Sequence, residues 1–159
     1  MGDEQPSLTA VEPGYRNVLR CRLGIMWLAL AAFALVLQNM LLRTAPFAVL
    51  APLAVLVAGA IVVAIAPQRI YRRLRYGLSA RLLQVVRGWL FHTDTVVPLV
   101  RVQHIDVVRG PLDKMFGTAS LVVHTAGTHN SIVTVPGLAP ERAAEMRDII
   151  REHVRTDFA

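Results

Sequence analysis

One apolar stretch decides the fold of this chain. It is Leu23–Ala66, which reads LGIMWLALAAFALVLQNMLLRTAPFAVLAPLAVLVAGAIVVAIA. Only Arg43, near its middle, carries a charge, and it divides the stretch into Leu23–Leu42 and Ala45–Ala66. Each part has about 20 residues, which at about 1.5 Å per helical residue crosses a hydrocarbon core of about 30 Å. The stretch therefore predicts a transmembrane helical hairpin with spans at about residues 23–42 and 45–66, and Pro67 is predicted to end the second helix.

Arginines flank this hairpin at both of its ends. They are Arg16, Arg20 and Arg22 before the first span and Arg69, Arg72, Arg73 and Arg75 after the second. Between the spans there is only Arg43. Because basic residues near span ends mark the cytoplasmic side, we predict a multi-pass protein of the cell (inner, or plasma) membrane. Both termini are then cytoplasmic and the short turn lies outside.

The composition agrees with a membrane protein and narrows the partners. The 159 residues are 54% hydrophobic and carry a formal net charge of +6, more apolar than an ordinary soluble domain of this length. The arginines gather at span ends and do not alternate with aromatic residues, which argues against nucleic acid as a partner. Residues 1–14 are acidic and polar, unlike a secretory signal, and are predicted to form a mobile tail.

After Pro67 the pattern changes to short alternating runs rich in Val, Leu, Ile and Thr. These runs predict strands at Arg72–Leu78, Leu82–Trp89, Thr93–Pro98, Val102–Arg109, Ala119–Thr125 and Ser131–Val135. Gly110–Gly117 predicts a short helical turn that ends at Gly117. Pro140–Val154 predicts an amphipathic helix with an apolar side made of Ala143, Met146, Ile150 and Val154.

These elements predict an α+β, mainly β, protein in three parts. Residues 1–14 form the tail, residues 15–67 the transmembrane hairpin, and residues 68–159 a cytoplasmic domain. Several strands in a meander followed by one amphipathic helix indicate a small β-barrel or sandwich that the C-terminal helix closes at one end.

Six segments of the chain carry a family resemblance. In order they are Tyr76–Ser79, Arg87–Leu90, Val97–Asp106, Gly110–Gly117, Leu121–Gly127 and Val135–Leu138. Together they resemble the bacterial membrane-anchored PH-like (pleckstrin-homology-like) domain family of the YdbS type, over roughly residues 15–154. The resemblance implies a PH-like, seven-stranded small β-barrel capped by a C-terminal α-helix. It implies no shared catalytic residues and no general activity.

Two groups of polar residues are candidate contact sites. The first is the set of membrane-surface or lipid-contact candidates Arg69, Arg72, Arg73 and Arg75; each basic residue next to an anionic leaflet is worth about 1 kcal/mol, and topology signalling explains the set equally well. The second is the set of polar partner-contact candidates Arg101, Gln103 and His104. Strand alternation would place Arg101 and Gln103 on one face and His104 on the other. Bridging of strand ends within the fold is the alternative interpretation of this set.

No catalytic, cofactor or metal site is predicted. The chain has no Gly-rich phosphate loop, nucleophile elbow or paired-carboxylate pattern. Four histidines lack the spacing of metal ligands and have no acidic residue that the sequence places beside them; they are His92, His104, His124 and His129.

We therefore expect a non-enzymatic membrane protein that presents a PH-like domain at the cytoplasmic face. Its partners would be the bilayer and either another protein or a second copy, for protein interaction or assembly of a membrane complex. Recognition of anionic lipid head groups by the domain is the alternative. An enzyme that modifies a membrane lipid is a remote third.

The predicted orientation is testable with a reporter fused after Ala159. A reporter that is active only in the cytoplasm is expected to be active, because the arginine bias keeps the C-terminal domain inside. A reporter that is active only in the periplasm, fused at the same residue, serves as the control. Activity of the periplasmic reporter would overturn the orientation.

Overall fold

The computed structural model describes residues 6–41, 50–89, 91–126 and 132–157. Two long helices come first, α1 (Gly14–Leu41) and α2 (Leu50–Arg73). Each is long and apolar enough to cross a membrane. The predicted turn around Arg43 lies outside the described residues.

The two helices pack against each other but leave most of their apolar surface uncovered. Only 6% of the apolar window of α1 and 22% of that of α2 is buried within the chain. A core helix of a soluble protein would instead be covered on most sides. Contact between the helices is close at Gly59, where an added Cβ would lie 2.9 Å from the Cβ of Trp27. The uncovered apolar surface is what a lipid-facing hairpin requires.

In the part of the chain that the structure describes, seven strands form two antiparallel sheets, one strand before the helices and six after them. The first sheet has the order β1 (Thr9–Ala10), β2 (Arg75–Leu78), β3 (Leu82–Gly88) and β4 (His92–Pro98). A 3-10 turn, Leu99–Arg101, leads to the second sheet, which has the order β5 (Val102–Val108), β6 (Ala119–Thr125) and β7 (Ile132–Leu138). Between β5 and β6 lies the short helix α3 (Pro111–Met115), and the last element is α4 (Pro140–Asp157).

The first strand, β1, precedes the hairpin in the chain. The described residues before α1 are therefore part of the fold, whereas the sequence analysis predicted a mobile tail. Thr9 pairs with Tyr76 and Ala10 with Arg75. The Glu12 N–H donates to the Gly137 carbonyl at 2.7 Å, and Val11 is buried in the core. The hairpin is therefore an insertion between two neighbouring strands of one sheet. A two-residue strand without alternating pattern gives no sequence signal of its own.

The core lies between the sheets and α4. It is made of apolar side chains that alternate along the strands, as half-buried strands require, such as Leu83 and Val85 of β3. The sequence prediction for α4 is confirmed, since Ala143, Met146 and Ile150 are fully buried and Val154 packs against them. The start of α1 also belongs to this core, because Tyr15 and Val18 are buried there.

Three predicted boundaries were wrong. Helix α2 continues through Pro67 to Arg73, so Arg72 and Arg73 are helical and the strand begins at Arg75. A proline removes one hydrogen bond of a helix, and here the packing of Ala66 and Pro67, both buried, keeps the helix intact. The last strand runs on to Leu138, with Gly137 in a left-handed conformation within it.

The sheets do not close into a barrel, which also differs from the prediction. The 3-10 turn carries the chain from β4 into the second sheet, and β1 is too short to extend the first sheet to β7. The gap beside β7 is bridged by the hydrogen bond from Glu12 to Gly137 and by the Arg87 side chain, which donates to the Thr134 carbonyl. The domain is thus a pair of sheets capped by α4.

Gly137 is a point of close contact between the hairpin and the domain. Its φ is 75°, and an added Cβ would lie 2.6 Å from the Cγ of Tyr15. The substitution Gly137→Ala is therefore expected to lower the free energy of unfolding by about 3 kcal/mol, from backbone strain together with overpacking. The measurement is thermal unfolding of the full-length protein in detergent micelles.

Gly117→Ala is the matched control for this substitution. Gly117 has a φ of 65°, but nothing lies within 4 Å of the position of its Cβ, so the change should cost only about 1 kcal/mol. Equal shifts of the two unfolding midpoints would show that the Tyr15 side chain can move aside at little cost. The contact between Gly137 and Tyr15 would then not hold α1 to the sheet.

Candidate contact surfaces at the two ends of the domain

The two long helices give the domain a proximal and a distal end. The end of α2 feeds directly into β2, so the proximal end holds Arg73, the connection from β3 to β4, and α3. Because the strands are antiparallel, the opposite end holds the β2–β3 turn, the 3-10 turn and the first residues of β5. We use "proximal end" and "distal end" in this sense below.

An ion pair joins α3 to the first helix at the proximal end. Arg22 lies one residue before the predicted first span, and its Nη2 is 3.4 Å from Oδ2 of Asp113. Asp113 is only 3% exposed, and its carboxylate also accepts hydrogen bonds from the Gly110 N–H at 3.1 Å and the Thr118 hydroxyl at 2.9 Å. The carboxylate thus both caps α3 and holds it at the level where the apolar surface of α1 begins.

Helix α3 presents two exposed side chains beside the apolar part of α1. They are Lys114, which is exposed, and Met115, which is 73% exposed. A cation next to an apolar side chain is typical of surfaces that meet the lipid head-group layer. The sequence analysis did not single out these two residues.

The four arginines proposed for the membrane surface are all exposed, and one of them is engaged in a hydrogen bond. Arg69 and Arg72 are exposed on the last turns of α2, and Arg75 is exposed on β2. Arg73 instead donates through Nη1 to the Trp89 carbonyl at 3.1 Å, which ties the β3–β4 connection to the helix. That connection carries Phe91, which is 84% exposed.

The second predicted set lies at the distal end. Arg101 belongs to the 3-10 turn rather than to a strand. A register shift between Val102 and His104 interrupts the pairing of β5 with β6. A bulge of this kind breaks strict alternation, so Gln103 and His104 are both exposed and line the same groove. The regular alternation on which the predicted placement of these side chains depends is thus interrupted at this point.

The groove runs between β5 and α4. It has a volume of about 350 Å³ and is lined by Val102, Gln103, His104, Ile105, Arg147, Arg151 and Val154. The strand contributes polar and aliphatic groups, and the helix contributes two arginines. Arg147 and Arg151 were not predicted, because the polar side of an amphipathic helix reads as solvated. Their spacing of four residues, which places them on one side of α4, is the signal that could have found them.

Two carboxylates partly neutralise the positive charge around the groove. Arg147 is paired with the adjacent Asp148, from its Nη2 to Oδ1 at 2.8 Å, and both side chains are partly exposed. His104 Nε2 is 2.9 Å from Oδ1 of Asp106. The groove therefore presents three basic side chains. Arg147 is paired with Asp148, His104 is paired with Asp106, and Arg151 is the third.

Asp106 also brings two of the predicted scattered histidines together. His124 Nε2 lies 3.6 Å from Oδ2 of Asp106, and the rings of His104 and His124 are 5.8 Å apart. The prediction that no acidic residue joins these histidines was wrong, because strand pairing places His104 opposite His124. Within the described part of the chain, no group of three His, Cys, Asp or Glu side chains is arranged to hold a metal ion.

Comparison with known proteins gives one family and one relative. The family model described as "Bacterial PH domain" matches residues 23–154, which include most of the hairpin and strands β2 to β7. The chain is also 37% identical over 103 residues to "UPF0699 transmembrane protein YdbS" of Bacillus subtilis (strain 168). The match covers 64% of this chain and 63% of that relative. No solved structure matches the chain.

Proposed function

Since this chain belongs to the bacterial PH domain family and is a membrane protein, we propose that it is a non-enzymatic interaction module. The hairpin anchors the PH-like domain at the cytoplasmic face of the inner membrane, with both termini inside. The domain binds a protein partner, or another subunit of a membrane complex, through the groove between β5 and α4.

The position of the groove is the observation that supports this proposal. Val102, Gln103 and His104 lie at the distal end, and Val108 lies at the other end of the same strand. At about 3.3 Å per residue, β5 is about 20 Å long, which exceeds the distance of about 8–10 Å over which salt screens surface charges. The groove thus lies at the end of β5 that is farther from the hairpin, which favours a partner from the aqueous phase or another subunit over the head groups of the membrane that holds the protein.

The lining of the groove supports binding rather than catalysis. Its polar groups are arginines, a glutamine and a histidine, beside the aliphatic side chains of Val102, Ile105 and Val154. Two carboxylates beside the groove, those of Asp106 and Asp148, already pair with His104 and Arg147. Aliphatic groups with a few convergent polar groups are the usual make-up of a binding site.

Site-specific photo-crosslinking in cells tests this function. A photoreactive amino acid in place of Gln103 is expected to give a discrete crosslinked protein, and the double substitution Arg147→Glu/Arg151→Glu should abolish it. Arg142→Ala serves as the control, because Arg142 lies on the same helix outside the groove and pairs with Glu145 at 2.7 Å. Such exposed pairs are worth at most about 1 kcal/mol, so the control should still crosslink.

The outcome that contradicts the proposal is equally definite. Absence of any crosslink from position 103, together with a discrete crosslink from a photoreactive group in place of Met115 at the proximal end, would move the contact surface away from the groove. A crosslink at position 103 that survives the double substitution would show that the arginines do not select the partner.

Recognition of anionic lipid is the second candidate, and the proximal end favours it. Arg69 and Arg72 on α2 and Lys114 on α3 are exposed around the cytoplasmic ends of the predicted spans, and the exposed Met115 accompanies them. Each such cation contributes about 1 kcal/mol next to an anionic leaflet. The two candidate functions use opposite ends of the domain, so they can be tested separately.

Native mass spectrometry of the full-length protein tests the lipid candidate. The protein is released from vesicles that contain equal amounts of phosphatidylglycerol and phosphatidylcholine, and the retained lipids are counted. The triple substitution Arg69→Gln/Arg72→Gln/Lys114→Gln is expected to lower the retained phosphatidylglycerol, whereas Arg81→Gln/Arg151→Gln at the distal end should not. Equal retention by all three proteins would remove specific lipid contact by these residues.

A further inference from the structure

We propose that the groove accepts an extended acidic peptide segment that adds to β5 as a further strand. The proposal rests on the function proposed above and names the chemistry of its partner. The peptide's backbone pairs with β5, its acidic side chains meet Arg147 and Arg151 on α4, and its apolar side chains meet the aliphatic lining.

The first support is the way in which β5 lines the groove. Four consecutive residues of the strand, from Val102 to Ile105, border the same space. Alternate side chains of a strand point to opposite faces, so a space that touches four in a row, across the bulge, lies against the edge of the strand. An occupant of this space meets the backbone of β5 as well as its side chains.

The second support is that β5 is a terminal strand. In the described part of the chain, the second sheet has the order β5, β6, β7, and β5 pairs with β6 on one side. The outer side of a terminal strand carries N–H and C=O groups that are available to a further strand. An extended peptide satisfies these groups by main-chain hydrogen bonds, and pockets for alternate side chains then give specificity.

The third support is the charge and depth of the groove. Arg147 and Arg151 form the helical wall, and Val102, Ile105 and Val154 form the aliphatic part. The Arg147–Asp148 pair is between neighbouring residues and partly exposed, and such pairs are weak enough to be exchanged. A carboxylate of the peptide can therefore take the place of Asp148, and a second one can reach Arg151.

The charged groups on the two walls of the groove predict which face of the peptide carries its acidic side chains. His104 is held by Asp106 on the outer face of the sheet, so that face offers a histidine–carboxylate pair to an incoming side chain. The helical wall offers the two arginines. A peptide whose acidic and apolar side chains alternate directs its acidic side chains to one face only, which matches the single basic wall.

The probe for the test is a fluorescein-labelled hexapeptide of alternating Glu and Val. Its binding to the full-length protein in phosphatidylcholine nanodiscs is followed by fluorescence anisotropy. Saturable binding is expected, and Arg147→Ala/Arg151→Ala should weaken it at least about tenfold, whereas Arg142→Ala should leave it unchanged. A peptide of alternating Lys and Val is the charge control and should not bind.

Backbone methylation separates strand addition from a purely electrostatic contact. Methyl groups on alternate amide nitrogens of the Glu–Val peptide remove the N–H donors of one edge and keep every side chain. If methylation of neither edge weakens binding, strand addition is wrong even though the groove binds acidic chains. If the unmodified peptide does not bind, the inference fails while a crosslinked partner at position 103 still supports the proposed function.

Discussion

The structure depends on the contact between the first turns of α1 and the proximal end of the domain. Tyr15 and Val18 are buried in the core, and the residues just before them add β1 to the first sheet. Because α2 leads directly into β2, both legs of the hairpin are held by neighbouring strands. Arg16 adds a hydrogen bond across the base of the hairpin, from Nη1 to Gln68 Oε1 at 3.2 Å. The membrane anchor and the domain are therefore one packed unit rather than two parts joined by a linker.

This arrangement gives the two ends of the domain different tasks. The proximal end is held next to the apolar helices through the buried carboxylate of Asp113, which binds Arg22, Gly110 and Thr118 together. Among the residues that the structure describes, the distal end shows no such tie to the helices, and it carries the groove. The exposed cations of the proximal end and the groove therefore lie at opposite ends of the domain.

The sequence predicted those parts of the fold that follow from long or regular patterns. Two runs of about 20 apolar residues and the apolar side of α4 were enough to place the hairpin and the cap. The two-residue strand β1 was missed, because its only signal is a partner strand that follows the whole hairpin. The bulge at Gln103 was missed for a similar reason, since the residue types of β5 are compatible with regular alternation.

The candidate site shows the same limit in a sharper form. Gln103 and His104 are consecutive in the sequence, but the strand around them departs from regular pairing through the register shift against β6. Arg147 and Arg151 join them only because α4 crosses the end of β5. The link from Asp106 to His124 likewise follows from strand pairing. Residues that are far apart in the chain become one surface through packing, which periodicity within a single element does not report.

The place of β1 in the chain has a consequence for how the protein is made. Thr9 and Ala10 leave the ribosome before either helix, but their partners Tyr76 and Arg75 are synthesised only after both helices are complete. The first sheet therefore cannot gain its outer strand until the hairpin has brought the two segments to the same side of the bilayer. If the helices crossed the bilayer a different number of times, β1 and β2 would lie on opposite sides of it. Val11 and Tyr15 would then have no core to pack into. Pairing of β1 with β2 thus requires that both segments reach the same compartment.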